Sequence, residues 1–192
     1  RKTVVDGSNT SGFQRTTLVA TDGTIETDDG IVGIDVVCLE EDSARKLESK
    51  LTTEGEVVYY TLDRLGMPLV EIATAPDIQT PEHAKEVALH LGTLLRDTRL
   101  VRRGLGSIRQ DLNVSIACGV RVEIKGCQDL DWIPKIIRIE MARQLHMYRL
   151  CNELREEADL PPLPSDRRLD SKPVENRVAL SASSRLPFQT QD

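Results

Sequence analysis

The chain has 192 residues, a net charge of −6, 39% hydrophobic residues and only 3% aromatics. That length supports one sizeable core, which must be aliphatic, and the acidic balance excludes a protein that simply coats nucleic acid. No stretch is long and apolar enough for a membrane helix, and nothing resembles a secretory signal. Cys38, Cys118, Cys127 and Cys151 lack CxxC spacing and read as free thiols in a reducing compartment. The opening on Arg1 rather than Met reads as a fragment of a longer protein.

In chain order, residues Arg1 to Gly12 are polar and read as a loop, and Phe13 to Ala20 turns strand-like. Thr21-Asp22-Gly23-Thr24 carries the Asp-Gly hairpin signal, so a turn is expected there. Thr24 to Thr27 and Ile31 to Leu39 read as strands joined by Asp28-Asp29-Gly30. Ser43 to Lys50 reads as a short helix, Thr52 to Glu56 as a loop and Val57 to Leu62 as a strand. The turn Asp63-Arg64-Leu65-Gly66-Met67-Pro68 leads into Leu69 to Thr74. Glu71 stands in the middle of that apolar run, with Leu69 and Ala73 on its own face. A buried carboxylate needs a cation, a donor or water, so Glu71 is either an edge residue facing solvent or a functional carboxylate.

Thr80-Pro81 is an N-cap followed by proline at the first helical position, and Ala84, Val87, Ala88, Leu91, Leu94 and Leu95 form a helical stripe. His83 and His90 on this helix read as surface or satisfied histidines. Gly106 to Gly126 is the most ordered pattern in the chain. Ile108, Gln110, Leu112, Val114 and Ile116 alternate with Ser107, Arg109, Asp111, Asn113 and Ser115. Val122 and Ile124 then alternate with Arg121, Glu123 and Lys125. A three-residue connection, Ala117-Cys118-Gly119 with glycine in a left-handed conformation, sets Ser115 opposite Arg121, Asn113 opposite Glu123 and Asp111 opposite Lys125. One face of this hairpin is apolar. The other is crowded with charges, either a solvated sheet face or a surface presented to a polar substrate.

A second helix is expected from about Asp131 to Glu157, with Pro134 in its first turn. From about Asp159, Leu160-Pro161-Pro162-Leu163-Pro164 and Ser181-Ala182-Ser183-Ser184 read as linker or poorly ordered tail. Residues 1–157 and 158–192 are therefore read as part of a folded domain and as a linker or tail.

Charge is uneven along the chain. Arg96, Arg99, Arg102, Arg103, Arg109, Arg121 and Lys125 meet only Asp97, Asp111 and Glu123 in their window. Such a region suits RNA or nucleotide phosphate, a substrate-phosphate clamp, or a salt-bridged surface. No GxxxxGK[ST] loop, HExxH or GxSxG motif is present. What remains is a set of carboxylates, Glu41, Glu71 and Glu123, near Arg109, Arg121 and Lys125. Carboxylates holding Mg²⁺, with cations on phosphate oxygens, run phosphoryl transfer without a dedicated loop.

The segments RKTVVDGSNTSGFQRT, LDRLGMPLVEIATAPDI, GSIRQDLNVSI and RVEIKG, in this order, resemble the E subunit of archaeal glutamyl-tRNA(Gln) amidotransferase and, more distantly, the bacterial B subunit. The match covers Arg1 to about Glu157, and in the family an insertion domain would follow. The resemblance implies an α+β fold, a glutamine-synthetase-like cradle of antiparallel sheet with helices on one side. It also implies the reaction: ATP phosphorylates the γ-carboxylate of glutamate on tRNA(Gln), and ammonia from an asparaginase-like D subunit displaces phosphate. A cytoplasmic hetero-oligomer follows from the same likeness. The family's Mg²⁺ is held by a histidine and two glutamates. Glu41 and Glu71 match the glutamates, and the histidine's counterpart would lie upstream of Arg1. Arg109, Asp111, Asn113, Arg121, Glu123 and Lys125 are placed as the cradle lining that holds phosphates or steers ammonia, and Phe13 as a stacking partner for the nucleotide. The competing readings are a tRNA-binding or scaffolding segment without catalytic residues, and a glutamine-synthetase-like kinase that does not use RNA.

Overall fold

The computed structural model describes residues 14–166 and the backbone of residues 177–185. Strands β1 (Thr16–Thr27) and β2 (Gly30–Glu41) form a long antiparallel ribbon turning at Asp28-Asp29. The expected turn at Asp22-Gly23 does not form. Asp22 takes a φ of 59°, but β1 runs on, with Gly23 opposite Ile34. A Cβ on Gly23 would lie 3.3 Å from the Ile34 Cβ, so this glycine allows close approach of the two strands.

The expected helix at Ser43 to Lys50 is also replaced, because Arg45–Thr52 (β3) pairs with Gly55–Thr61 (β4) in a separate two-stranded sheet. Cross-strand pairing overrides a weak local helical preference here.

Next come β5 (Pro68–Thr74), α1 (Pro81–Asp97), β6 (Ile108–Ser115), β7 (Val122–Ile124), α2 (Ile133–Glu157) and β8 (Arg177–Arg185). The main sheet has the order β1-β2-β5-β8-β6-β7, and every neighbouring pair is antiparallel. The α+β class with a largely antiparallel sheet is thus observed. β8 falls where the sequence suggests linker or tail. Its Ser- and Ala-rich sequence lacks β-branched bulk, but the facing edges of β5 and β6 supply it with hydrogen bonds on both sides. The Pro-rich stretch before it is likewise anchored to α2. Leu163 N donates to Asn152 Oδ1 at 2.8 Å, and Tyr148 Oη donates to the Leu163 carbonyl at 3.1 Å.

The core lies on one face of the sheet. Ile25, Val32, Ile34, Ile72, Leu112 and Val114 pack with Ala84, Val87, Ala88 and Leu91 of α1 and Ile133 and Ile137 of α2. Each Val, Leu or Ile side chain among them contributes about 1.5–3 kcal/mol on full burial. The Thr80 side chain caps α1 by accepting from His83 N at 3.1 Å. His83 is buried and its Nε2 lies 2.8 Å from Thr27 Oγ1, a satisfied histidine that ties α1 to β1, while His90 is exposed. Period-2 alternation sends the other half of each strand to the face opposite the helices.

The β6–β7 register is the expected one, with Asn113 opposite Glu123, flanked by Leu112–Ile124 and Val114–Val122. Gly119 departs from expectation, since its φ is not in the left-handed region. It is needed for space. A Cβ there would lie 3.0 Å from Ile116 Cγ1 and collide with the Gln144 side-chain oxygen. Gln144 cannot easily move aside. It is buried, donates to the Val114 carbonyl at 3.0 Å and to Glu140 at 2.8 Å, and accepts from Ile116 N at 3.3 Å. Glu140, also buried, accepts two 2.7 Å bonds from Arg143. Those bonds, with that of Gln144, hold the Glu140 carboxyl below its ordinary value against the opposing effect of burial.

Two outcomes follow. Gln144→Leu strands buried partners and should cost about 1–3 kcal/mol in urea denaturation. Because Glu140 has a depressed pKa when folded, its contribution is complete above the ordinary value of 4.5 and lost as pH falls through the folded value. Glu140→Gln should therefore flatten the acid limb of the stability profile.

Candidate active site on the sheet face opposite the helices

On that second face the strands bring charged side chains together around an open cavity of about 400 Å³. β8 decides the geometry. Glu71 on β5 and Arg109 on β6 both pair with Ser183, so they stand level, two strands apart, roughly 10 Å between backbones. The cavity is lined by the carboxylates Glu40, Asp42, Glu71, Asp111 and Glu123 and by the cations Arg109 and Lys125. Lys125 Nζ bridges Glu123 at 3.0 Å and Asp111 at 3.4 Å, and Gly126 N donates to Asp111 at 3.3 Å. The bond to Glu123 is the main reason that the Lys125 ammonium is held above its ordinary value, with the Asp111 charge adding to it.

Four of the six lining residues expected on the β6–β7 hairpin, Arg109, Asp111, Glu123 and Lys125, line this cavity. Asn113 and Arg121 do not. Asn113 lies opposite Glu123 at the next step of the ladder, and Arg121 is exposed before β7 begins. Phe13 lies outside the described residues.

Of the two glutamates expected to hold a metal ion, Glu71 lines the cavity and Glu41 does not. The Glu41 side chain is on the other side of β2, bonded by Arg15 Nε at 2.6 Å. The residue beside Glu71 is Glu40. A register shift between Ile34 and Val36 reverses the alternation of β2. Val37 therefore packs against the core, while Cys38 opposite Glu71 and Glu40 opposite Leu69 take the charged face. The family resemblance matches Glu41, whereas this strand turns the adjacent Glu40 into the cavity that Glu71 lines. The usable signal is the apolar pair Val37 and Leu39, read inward from the far end of the strand.

Glu40 is half-buried and accepts from Thr16 Oγ1 at 3.0 Å. Burial pushes its carboxyl above the ordinary value, and a hydrogen bond and charge from Glu71 push it further, with Thr16 opposing them. The Cys38 thiol is raised by burial and then by the charges of Glu71 and Glu40. Two carboxylates in such contact favour a shared proton or a cation between them. The donor set thus fits a hard divalent ion that takes its other oxygens from a bound ligand. Among the described residues no group of three or more His, Cys, Asp and Glu side chains could hold a metal by itself. No described helix is long and apolar enough to cross a membrane.

This sheet face thus combines carboxylate pairs with an arginine and a lysine around one cavity. Comparison with known proteins gives the lineage. The family model described as GatB/GatE catalytic domain matches residues 1–185, and the chain belongs to that family. It is 59% identical over 156 residues to the E subunit of glutamyl-tRNA(Gln) amidotransferase from Methanocaldococcus jannaschii, covering 81% of this chain and 24% of that protein. The E subunit from Pyrococcus furiosus is 58% identical over 161 residues, 84% of this chain and 25% of that protein. The E subunit from Methanothermobacter thermautotrophicus is 50% identical over 190 residues, 97% of this chain and 29% of that protein. The chain thus spans about a quarter of the length of these relatives. The last alignment and the family match both extend past the expected end near Glu157 and take in β8.

Glu40 offers a direct check on the carboxylate pair. A raised folded pKa means that stability is complete below the ordinary value of 4.5 and is lost as pH rises through the folded value. Glu40→Gln should remove that loss, so the variant unfolds at higher denaturant than wild type at neutral pH. The two should converge toward acid pH.

Proposed function

We propose that this chain is part of the catalytic domain of an amidotransferase acting on glutamyl-tRNA(Gln). In the reaction the γ-carboxylate of the tRNA-borne glutamate is phosphorylated by ATP. Ammonia from a partner, the asparaginase-like D subunit, then displaces phosphate to give glutaminyl-tRNA(Gln). The cavity that sets Glu40 and Glu71 against Arg109 and Lys125 is the single observation that carries the reading. Relatives at this level of identity bear the amidotransferase name and add to it.

Each part of the cavity has a role in that chemistry. Glu71, with Glu40 beside it, is the carboxylate pair that would hold Mg²⁺, which when bound neutralises charge on the phosphates. Arg109 stands level with Glu71 and faces the phosphoryl oxygens, where a guanidinium binds two oxygens at once. Lys125 is held protonated and in place by Glu123 and Asp111, a fixed positive charge on the wall across from the carboxylate pair. A glutamine-synthetase-like kinase that does not use RNA is not needed to account for any of these positions. The glutamine-synthetase-like cradle remains the architecture that this sheet face would form in the whole enzyme.

The test uses the full-length protein with its ammonia-supplying partner, or with added ammonium. Conversion of glutamyl-tRNA(Gln) is followed with ATP and Mg²⁺ for wild type, Glu71→Gln and Glu41→Gln. Glu71→Gln should lower the rate at least about 100-fold while tRNA binding persists. Glu41→Gln, on the other side of β2, should lose far less. Undiminished conversion by Glu71→Gln would favour a scaffolding segment instead.

A further inference from the structure

A second cleft, of about 610 Å³, adjoins the cavity and shares Arg109 with it. Its walls come from two loops, the one entering β5 (Asp63, Arg64, Met67) and the one entering β6 (Arg102 to Ser107). The loops meet because β5 and β6 flank β8 in the same direction. Leu69 pairs with Arg185 and Ile108 with Ser184, so both strands start at one end of the sheet. Gly66 and Gly106, with φ of 78° and 72°, shape the two loops in conformations that other residues adopt only under strain.

The charge of this cleft is the reverse of its neighbour's. Four guanidinium groups, those of Arg64, Arg102, Arg103 and Arg109, face one carboxylate, Asp63. Asp63 already accepts from Thr61 Oγ1 at 3.1 Å. Among the described residues none of the four guanidinium groups has a hydrogen-bond or ion-pair partner. Leu105 projects fully into solvent at the tip of the same loop, an apolar surface amid the arginines.

These features separate two kinds of phosphate. A nucleoside triphosphate that brings a divalent ion suits the carboxylate-rich cavity. A cleft with four arginines and a single carboxylate suits phosphate that brings no metal. An apolar side chain beside the arginines suits a ligand in which phosphates alternate with sugars and bases.

We infer that the Arg64–Arg102–Arg103–Arg109 cleft binds the phosphodiester backbone of the RNA substrate next to its acceptor end, leading the attached glutamyl group into the neighbouring cavity. The inference rests on the amidotransferase reading for the identity of the RNA and goes beyond it in naming where the RNA docks. Arg109, which lines both spaces, links docking to chemistry.

The experiment uses the full-length protein with its ammonia-supplying partner and uncharged tRNA(Gln), without ATP or ammonia source, so that binding is read apart from reaction. Affinity is measured over a range of salt concentrations for wild type, the double variant Arg102→Ala/Arg103→Ala and the charge-keeping Arg102→Lys/Arg103→Lys. The alanine variant should bind about tenfold more weakly, with a salt slope reduced by about 1.5, and the lysine variant should keep the wild-type slope. The alanine variant's KM for ATP should stay at the wild-type value. A raised KM for ATP with unchanged tRNA affinity would assign the cleft to nucleotide phosphates and overturn the inference. Unchanged affinity and slope would overturn it too. Wild type that binds tRNA with the expected salt slope, loses it in the alanine variant, and yet converts no glutamyl-tRNA would sink the proposed reaction while upholding this docking site.

Discussion

Antiparallel pairing at the centre of the main sheet is the constraint on which the rest depends. β8 must hydrogen-bond to a strand on each side, so β5 and β6 are forced into the same direction and their ladders are fixed against a common strand. Glu71 and Arg109 become level through that shared strand, and the loops entering β5 and β6 are brought to one end of the sheet. A one-residue slip of β8 against either neighbour would break this level relation, and a one-residue slip of β5 or β6 would turn its charged residues toward the helices. The aliphatic side chains opposite α1 and α2 resist any such slip.

The two faces of the sheet are thus energetically linked. Leu112 and Val114 are inaccessible to solvent beneath the helices, so Asp111 and Asn113 must point the other way. The same alternation acts on β5, where Ile72 and Thr74 are buried and Glu71 emerges on the opposite side. The charged face therefore needs no separate specification, since the core that stabilises the fold also orients the site. At the far end of the β6–β7 hairpin, Gln144 reaches from α2 to the backbone of Val114 and Ile116, where it fixes the hairpin tip to the helix layer.

The charged face is divided by sign. One cavity is rich in carboxylates, and the next is rich in arginine, with Arg109 between them. A net charge of −6 conceals this division, because the excess acid is distributed over the whole chain while Arg64, Arg102, Arg103 and Arg109 meet around one cleft. Partition of this kind keeps regions of opposite potential apart on one face of the sheet.

The sequence by itself determined what local periodicity and capping can encode. The β6–β7 register, the apolar and charged faces of that hairpin, Glu71 as a carboxylate inside an apolar strand, and the start of α1 at Thr80 all follow from spacing, because side chains within a few residues compete for the same two sides. Tertiary structure alone decided the rest. The bulge in β2 placed Glu40 rather than Glu41 on the cavity face, since one inserted residue reverses every side chain beyond it. Strand β8 emerged from a Ser- and Ala-rich segment with weak intrinsic preference, since its hydrogen bonds come from partners far away in sequence. Residues 45–52 became a strand rather than a helix because pairing with the adjacent β4 outweighs local propensity. The arginine cleft required two loops whose meeting depends on β8, and no window of sequence contains both.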